Sequence, residues 1–446
     1  MKKYTFRGGI HPPEHKELTQ HKPIVKLNPP ETIVLPLRQH IGATLEPLVK
    51  VGERVLLGQK IADSDQYVSA PVHSSVSGTV RKIEEYFHPS GLKGPAIFIE
   101  NDGLDEIDPS IHPAGDYTKL SPDDIARAAR QAGLVGMGGA GFPTHVKLTP
   151  PKDKKVEYLI INGAECEPYL TSDHRVMLEE GEEVLYGLRI MMHNFGVDKA
   201  YLAIEENKMD AAEHMQKLLN GDRSIEVCVL KTKYPQGSEK HLIKAVAGRE
   251  VPSGKLPIDV GAVVNNIDTC TGLARAIKTG MPLIRRIVTV SGLGVRNPCN
   301  FEVRIGTDFQ SLFDAAGGLK EDVKKVIMGG PMMGIAQYDL RTPVVKGTSG
   351  LLALLESEVI WEKEMPCTRC AKCVDGCPMG LMPLYLSAYS KKENYDMMFK
   401  YHITDCIECG SCSYVCPSRK NPLQRIRIGK QLAMQRLREL KNETKG

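Results

Sequence analysis

The sequence predicts a multidomain chain of mixed α/β and α+β class, and three observations carry that prediction. A glycine-punctuated, β-branched stretch opens it, strand and helix patterns alternate through its middle, and two copies of one cysteine run stand near its end. At 446 residues, with 41% hydrophobic and 25% charged content, the chain has room for roughly three domains.

Residues 1–105 form the first unit. Between Pro47 and Tyr86, short β-branched runs are broken by Gly52, Gly58, Pro71 and Gly78, which predicts a small all-β fold. The pattern V-x-x-G-Q-x-I-A followed by A-P-V-x-x-x-V-S-G resembles the barrel-sandwich hybrid of biotinyl and lipoyl carriers. Those carriers present a modifiable lysine at a hairpin tip. Residues 62–66 read Ala-Asp-Ser-Asp-Gln instead, so the fold is expected without the carrier function.

Residues 106–280 change character. Ser121 caps an expected helix with Pro122, Asp123 and Asp124 in its first turn and Gly133 as its stop. Strand-like runs follow at 156–162, 199–204 and 225–230, separated by the helical stretches 182–196 and 209–221. That alternation predicts a mostly parallel sheet in a Rossmann-like layer. Residues 281–355 read as a small mixed unit of two strands, a helix and a Gly-Gly stop, which resembles the SLBB β-grasp domain.

Residues 356–430 hold the cysteine runs: CTRCAKCVDGCP at Cys367, Cys370, Cys373 and Cys377, and CIECGSCSYVCP at Cys406, Cys409, Cys412 and Cys416. C-x2-C-x2-C-x3-C-P is the bacterial iron–sulfur spacing, and in two-cluster ferredoxins the fourth cysteine of each run ligates the other cluster. The expected ligand sets are therefore Cys367, Cys370, Cys373 and Cys416 for one [4Fe–4S] cluster, and Cys406, Cys409, Cys412 and Cys377 for the other. Zinc sites usually separate two C-x2-C pairs by a long gap, a pattern these runs do not follow. Residues 431–446 form a basic tail. From Arg425 onward seven Lys/Arg face two Glu, so the remainder of the +4 chain is close to neutral. A solvated helix end and a docking face for an acidic partner or anionic membrane both fit such a run.

Four cysteines lie outside the runs (Cys166, Cys228, Cys270, Cys299), a usage that fits a reducing compartment. The start MKKYTFRGGIHPP has no apolar h-region, and no stretch nears the roughly 18 apolar residues of a membrane span. One Trp and nine Phe, without a basic surface elsewhere, argue against nucleic acid as a partner.

A second constellation concerns a cofactor. Gly136, Gly138 and Gly141 satisfy G-x-G-x-x-G, with Gly139 between them, but the motif follows a helix where a dinucleotide fingerprint follows a strand. Bare glycines let backbone N–H groups close on phosphate or ring oxygens, and they also make tight turns. Asn162, Glu165, Glu167, Asn265 and Asn266 recur at strand ends, as helix caps do and as ligand crevices in open α/β sheets do. Cys166 beside them reads as a redox thiol or a buried structural cysteine.

The loop GMGGAGFPTHVK, the turn NGAECEP, the segment QGSEKHLIKAVAGREVP and the pair NN-x-D-T resemble, in that order, the flavin- and NADH-binding subunit of respiratory complex I. The resemblance implies that Gly136, Gly138, Gly139, Gly141 and Lys147 line FMN, and that Asn162, Glu165, Asn265 and Asn266 hold its phosphate, ribityl chain or ring edge. It implies that Phe142 stacks on the adenine of NAD(H), and that Glu167 and Glu239 border the nicotinamide as the catalytic pair. Ala164 stands where that family has Asp.

From FRGGIHPPEHKELT to the cysteine runs, the whole chain is similar to the family of RnfC-type proteins, peripheral components of the Rnf complex. That likeness implies a place at the cytoplasmic face of the membrane, in a complex coupling ferredoxin–NAD electron exchange to Na+ or H+ transport. Its implied partners are NADH/NAD+, the membrane and ferredoxin-facing Rnf subunits and, indirectly, ferredoxin; its cofactors are FMN and two [4Fe–4S] clusters. A soluble corrin reductase with flavin and clusters is the alternative, but such enzymes begin near the glycine loop. A structural scaffold like the related quinone reductase subunit would not need eight cluster cysteines.

Anaerobically purified protein is expected to carry about eight iron and eight sulfide. Cys377→Ser is expected to damage the cluster otherwise held by Cys406, Cys409 and Cys412, read by electron paramagnetic resonance. Selective loss of the Cys367, Cys370 and Cys373 cluster would instead disprove the crossed assignment.

Overall fold

A computed structural model describes residues 3–139, 141–359 and 363–443. After the extended segment β1 (Ile24–Lys26), the alternating residues of the first unit fold into β2 (Thr32–Pro36), β3 (Glu46–Pro47), β4 (Arg54–Val55), β5 (Lys60–Asp63), β6 (Val72–His73), β7 (Gly78–Phe87) and β8 (Lys93–Asn101). These make two antiparallel sheets, in the orders β2-β8-β7-β4 and β3-β5-β6. Ile33, Leu35, Val55, Ile61, Val80, Ile97 and Ile99 are fully buried between them. This apolar core runs without a break into the next unit.

That unit opens with α1 (Pro122–Gln131), where Ser121 and Asp124 form a reciprocal capping box. After the glycine loop come α2 (Thr144–Leu148), β9 (Tyr158–Gly163), α3 (Ser172–Glu179), α4 (Gly181–Phe195), β10 (Ala200–Glu205), α5 (Met209–Leu219), β11 (Ile225–Leu230), α6 (Glu239–Ala247), β12 (Ala262–Asn266) and α7 (Ile267–Thr279). The four strands are parallel in the order β11-β10-β9-β12. The chain lays β10 and β11 on one side of β9, then returns to lay β12 on the other. A topological switch point therefore sits at the carboxyl ends of β9 and β12, where open α/β sheets bind ligands.

The third unit contains β13 (Arg285–Ser291), β14 (Cys299–Arg304), α8 (Phe309–Ala315), β15 (Val323–Met328), β16 (Ile335–Gln337) and β17 (Gly350–Leu355). Phe309, Leu312 and Phe313 seat α8 on a sheet ordered β1-β14-β13-β17-β15-β16. Its first strand comes from the start of the chain: β1 pairs in parallel with β14, Ile24 opposite Asn300. Two strands are thus too few for this unit, because β1 is supplied from far away in sequence and the later strands are short.

The cysteine runs hold α9 (Lys372–Asp375), α10 (Pro383–Lys391), α11 (Tyr395–Lys400), α12 (Ser411–Tyr414) and α13 (Pro422–Glu443). Leu381, Leu386, Met398, Ile403, Ile426 and Ala433 make their small core. A boundary at residue 431 falls inside α13, whose Ile426 and Ala433 are buried, so the helix is anchored by packing and not wholly exposed. Residues 444–446 of the expected tail lie outside the described residues. No described helix is long and apolar enough to cross a membrane.

Lys346 joins three units. It is 1% exposed, and its Nζ donates to the carbonyls of Pro71 (2.6 Å) and Gly133 (2.7 Å). Burial, with Arg130 nearby, lowers its ammonium from 10.5 to about 7. The unfolded chain then binds the extra proton between those values, so this group's contribution makes the fold more stable as pH rises from about 7 towards 10.5. Lys346→Met removes that term. Melting curves of both proteins should therefore diverge in this window, wild type gaining relative to the variant with increasing pH.

Candidate functional site

The switch point gathers most of the residues expected to hold a cofactor. Register places Asn266 opposite Asn162 and Asn265 opposite Ile161 at the ends of β12 and β9. The glycine loop lies across these ends, closed by Gly136 N–H on the Phe142 carbonyl (2.8 Å) and by Met137 N–H on Thr269 Oγ1 (3.3 Å). A Cβ on Gly138 would lie 2.7 Å from Asn266 Nδ2, so close packing excludes a side chain there. A Cβ on Gly139 would meet no described atom within 4 Å, which leaves room for a ligand beside it.

Asn265 is 4% exposed, and its Nδ2 has no hydrogen-bond partner among the described residues. An orphaned buried donor is costly unless something accepts from it. Asn162 and Asn266 are both engaged. Asn162 bridges the Gly237 carbonyl and Ala164 N–H, and Asn266 caps α7 through Asp268 N–H while donating to Asp173 at 2.6 Å. Burial raises the Asp173 carboxyl, with Glu165 and Asp268 adding to the effect. Arg286, from β13, pairs with Asp268 below the loop. Lys147 Nζ reaches Glu239 (2.8 Å) and the Val264 carbonyl (2.9 Å), joining two expected site residues across the mouth. Phe142 is half-buried. The loop cradle, the orphaned amide and the lysine together suit a flat, phosphate-bearing ring system such as FMN.

Two of the expected acids have partners within the protein. The Glu165 carboxylate, expected on the flavin, accepts from Ser172 Oγ, Asp173 N–H (2.8 Å) and His174 N–H (3.2 Å), and so caps the start of α3. Glu167, expected at the nicotinamide, accepts from the N–H groups of Met332 (3.0 Å) and Met333 (2.9 Å) in the β-grasp unit. Burial pushes its carboxyl up to about 7 against the pull of those two N–H groups. Cys166 Sγ accepts from Gly237 N–H at 3.3 Å, and burial raises its thiol well above the ordinary range, which suits a packing role.

The turn carrying these residues rests on two lysines that sequence reasoning missed. Lys16 Nζ donates to the carbonyls of Glu165 (2.9 Å), Glu167 (3.0 Å) and Leu170 (2.6 Å). Lys208 Nζ donates to the Ala164 carbonyl (2.7 Å) and pairs with the buried Glu205 (3.3 Å). Lys16 lies within the FRGGIHPPEHKELT opening, so the signal was present without a geometry to explain it.

The eight cysteines stand in different surroundings. One pocket draws on Cys377, Cys406, Cys409 and Cys412 together. Cys373 stands within electrostatic reach of Cys416, Cys367 and Cys412, and Cys377 within reach of Cys409. Among the described residues no three His, Cys, Asp or Glu converge tightly enough for a single metal ion. A cubane differs, because each thiolate binds a different iron and the four stand further apart. Arg369, Ala371 and Gly380 have positive φ, and so do Glu408, Gly410 and Arg419 at the same offsets in the second run. Left-handed backbone at Arg, Ala and Glu is uncommon, and its repetition is the fold expected around a cluster. Cys367 and Cys370 are exposed, while Cys409 and Cys412 are buried. The buried set faces the α/β unit: Tyr234 O–H donates to the Cys409 carbonyl (2.7 Å) and lies 3.5 Å from Glu167.

Known proteins share each part of this architecture. Family models match as the RnfC barrel-sandwich hybrid domain over residues 4–104, the Nuo51 FMN-binding domain over 129–275, the SLBB domain over 287–336 and a 4Fe–4S dicluster domain over 366–420. The C component of the Na(+)-translocating ferredoxin:NAD(+) oxidoreductase complex of Acetobacterium woodii is 46% identical over 96% of this chain and 97% of its own. The chain belongs to the RnfC family. The corresponding component of the proton-translocating ferredoxin:NAD(+) oxidoreductase complex of Clostridium ljungdahlii is 48% identical over 95% of this chain and 93% of its own. A solved NAD+-reducing [NiFe]-hydrogenase, air-oxidised, overlaps 72% of this chain and 64% of that one, with 19% identity and a TM-score of 0.49. The RnfC assignment makes the chain an oxidoreductase subunit of a multi-subunit, membrane-bound, ion-translocating complex, with FMN-binding and 4Fe–4S dicluster domains. It sets aside the corrin reductase and scaffold readings.

Gly138→Val is expected to displace Asn266 and abolish flavin retention while leaving iron and sulfide counts unchanged. Absorbance of the purified protein and an iron assay check both, and full flavin content would take the loop out of the site.

Proposed function

We propose that this chain is the NAD-facing module of its complex, holding FMN non-covalently at the switch point and two [4Fe–4S] clusters in the crossed ligand sets. The orphaned Asn265 amide near the carboxyl end of β12, next to the residue on which the glycine loop packs, is the observation that carries the flavin reading. Flavin, when bound, exchanges two electrons with a nicotinamide and one at a time with an iron–sulfur centre. The protein's share is placement. Gly138, Gly139 and Gly141 offer backbone N–H groups, and Asn265 offers its amide. Lys147 supplies positive charge at the mouth with Glu239 as its counter-ion, and Phe142 gives NADH a flat apolar face. Asn266 and Asn162 act by fixing the strand ends.

Glu167 and Tyr234 serve the exit side of this site. They tie the turn after β9 to the β-grasp loop at Met332 and to the Cys409 carbonyl, making Cys377, Cys406, Cys409 and Cys412 the inner ligand set. Cys367, Cys370, Cys373 and Cys416 are then the outer set, where two exposed cysteines bring the centre to the surface. The two cysteine sets would hold centres able to exchange single electrons with partner subunits, through which ferredoxin would be reached. The chain sits peripherally at the cytoplasmic face of the membrane, consistent with the lack of a spanning helix among the described residues.

Stopped-flow flavin reduction by NADH tests this reading. Phe142→Ala is expected to raise the NADH half-saturation about tenfold, since a base–aromatic contact is worth roughly 1–3 kcal/mol. Flavin and clusters should stay bound. A destabilised, flavin-free variant would show instead that the ring only packs the core.

A further inference from the structure

The barrel-sandwich unit lacks the lysine that carriers present at their hairpin tip, yet the structure fastens that tip beside the glycine loop. Arg130 Nη2, from α1, donates to Asp63 Oδ1 (2.6 Å), the Ser64 carbonyl (3.0 Å) and Ser69 Oγ (3.1 Å). His145 Nε2, on α2 three residues past Phe142, donates to the Tyr67 carbonyl (3.0 Å). Ile41 N–H donates to the Gly141 carbonyl (3.3 Å), and a Cβ on Gly141 would come within 3.5 Å of His40 Cα. The tip and the residues before it are thus held against Gly141 and His145, the two positions that flank Phe142 in the chain.

What it presents there is aromatic. Tyr67 is 59% exposed and stands edge-on to the His145 ring, with centroids 5.5 Å apart. Its hydroxyl has no partner among the described residues, and Ile41 beside it is 50% exposed. The His145 bond fixes the Tyr67 backbone, and the edge-on contact with the His145 ring limits where the exposed ring can turn. Such a side chain is preorganised for a flat ligand, and its hydroxyl can donate to a ribose or purine acceptor.

We infer that Tyr67 is a second aromatic contact for the adenosine half of the nicotinamide dinucleotide, so that the barrel-sandwich unit forms one wall of a pocket whose other wall carries Phe142. This inference rests on the reading of Phe142 as a nucleotide contact. It gives the N-terminal unit a binding role: the former carrier tip now grips the diffusible substrate.

ADP-ribose separates the possibilities, because it contains the adenosine half and no redox-active ring. Calorimetric titration of the full-length protein with ADP-ribose is to be compared across wild type, Tyr67→Ala, Tyr67→Phe and Phe142→Ala. Tyr67→Ala is expected to weaken binding about fivefold or more, with Tyr67→Phe retaining most of the affinity, on the scale of base–aromatic stacking. Nicotinamide mononucleotide binding and the melting temperature should not change in Tyr67→Ala. Unchanged ADP-ribose affinity in Tyr67→Ala beside a weakened Phe142→Ala overturns the Tyr67 contact and leaves the Phe142 reading standing. No response in either variant, or no binding by wild type, overturns both.

Discussion

Two ammonium groups buried beneath one turn govern the geometry around them. Lys16 and Lys208 both point into residues 164–170, and together they hold four of its backbone carbonyls. A buried cation is tolerable only when every donor is satisfied, so the carbonyls and Glu205 must stay where they are. From that fixed turn, Glu165 reaches down to cap α3 and Glu167 reaches out to Met332 and Met333. The flavin side, the β-grasp loop and the inner ligand set therefore share one rigid reference. Lys16 is brought in by the first segment of the chain, whose Gly8 packs against the Cys377 carbonyl and whose Ile10 pairs with Tyr234.

The readily legible parts of the sequence were those whose chemistry is local. Cysteine spacing orders the ligands because three thiols in one short loop can face one centre, and the repeated positive-φ positions show the same loop built twice. The parallel strands were legible because burial on both faces leaves continuous apolar runs, and 225–230 matched β11 end to end. The partners of Glu165 and Glu167 were not legible, because an acid after a strand has the same local appearance whether it meets a ligand or a distant N–H. Only the fold shows that α3 claims one and the loop at Met332 claims the other. Lys16, Lys208, Asp173 and Tyr234 were silent for the same reason: their partners are backbone groups or side chains that no local pattern announces.

The two ligand sets meet different surroundings, although their sequences are near copies. Buried Cys409 and Cys412 lie under α13, whose Lys430 donates to the Cys406 carbonyl at 2.7 Å and pairs with Glu408. Cys367 and Cys370 face solvent beside Arg369 and Lys372. Burial and nearby charge are the levers by which a protein separates the potentials of like centres. The basic character of α13 is thus partly structural: Arg427 and Lys430 are engaged with Glu408, and Arg425 with Glu364.

The strand β1 pairs with β14, which the ribosome delivers some 276 residues later. At about 5–20 residues per second, Ile24 waits roughly a quarter of a minute to a minute for Asn300 to emerge. Until then the nascent chain exposes an unpaired edge. The barrel-sandwich and α/β units share one apolar core and can close during that interval, with Tyr4 and Ile10 already able to pair with Leu230 and Tyr234, leaving β1 to be stitched down later. A strand from the first tenth of the chain is thus completed only when the third unit has been made.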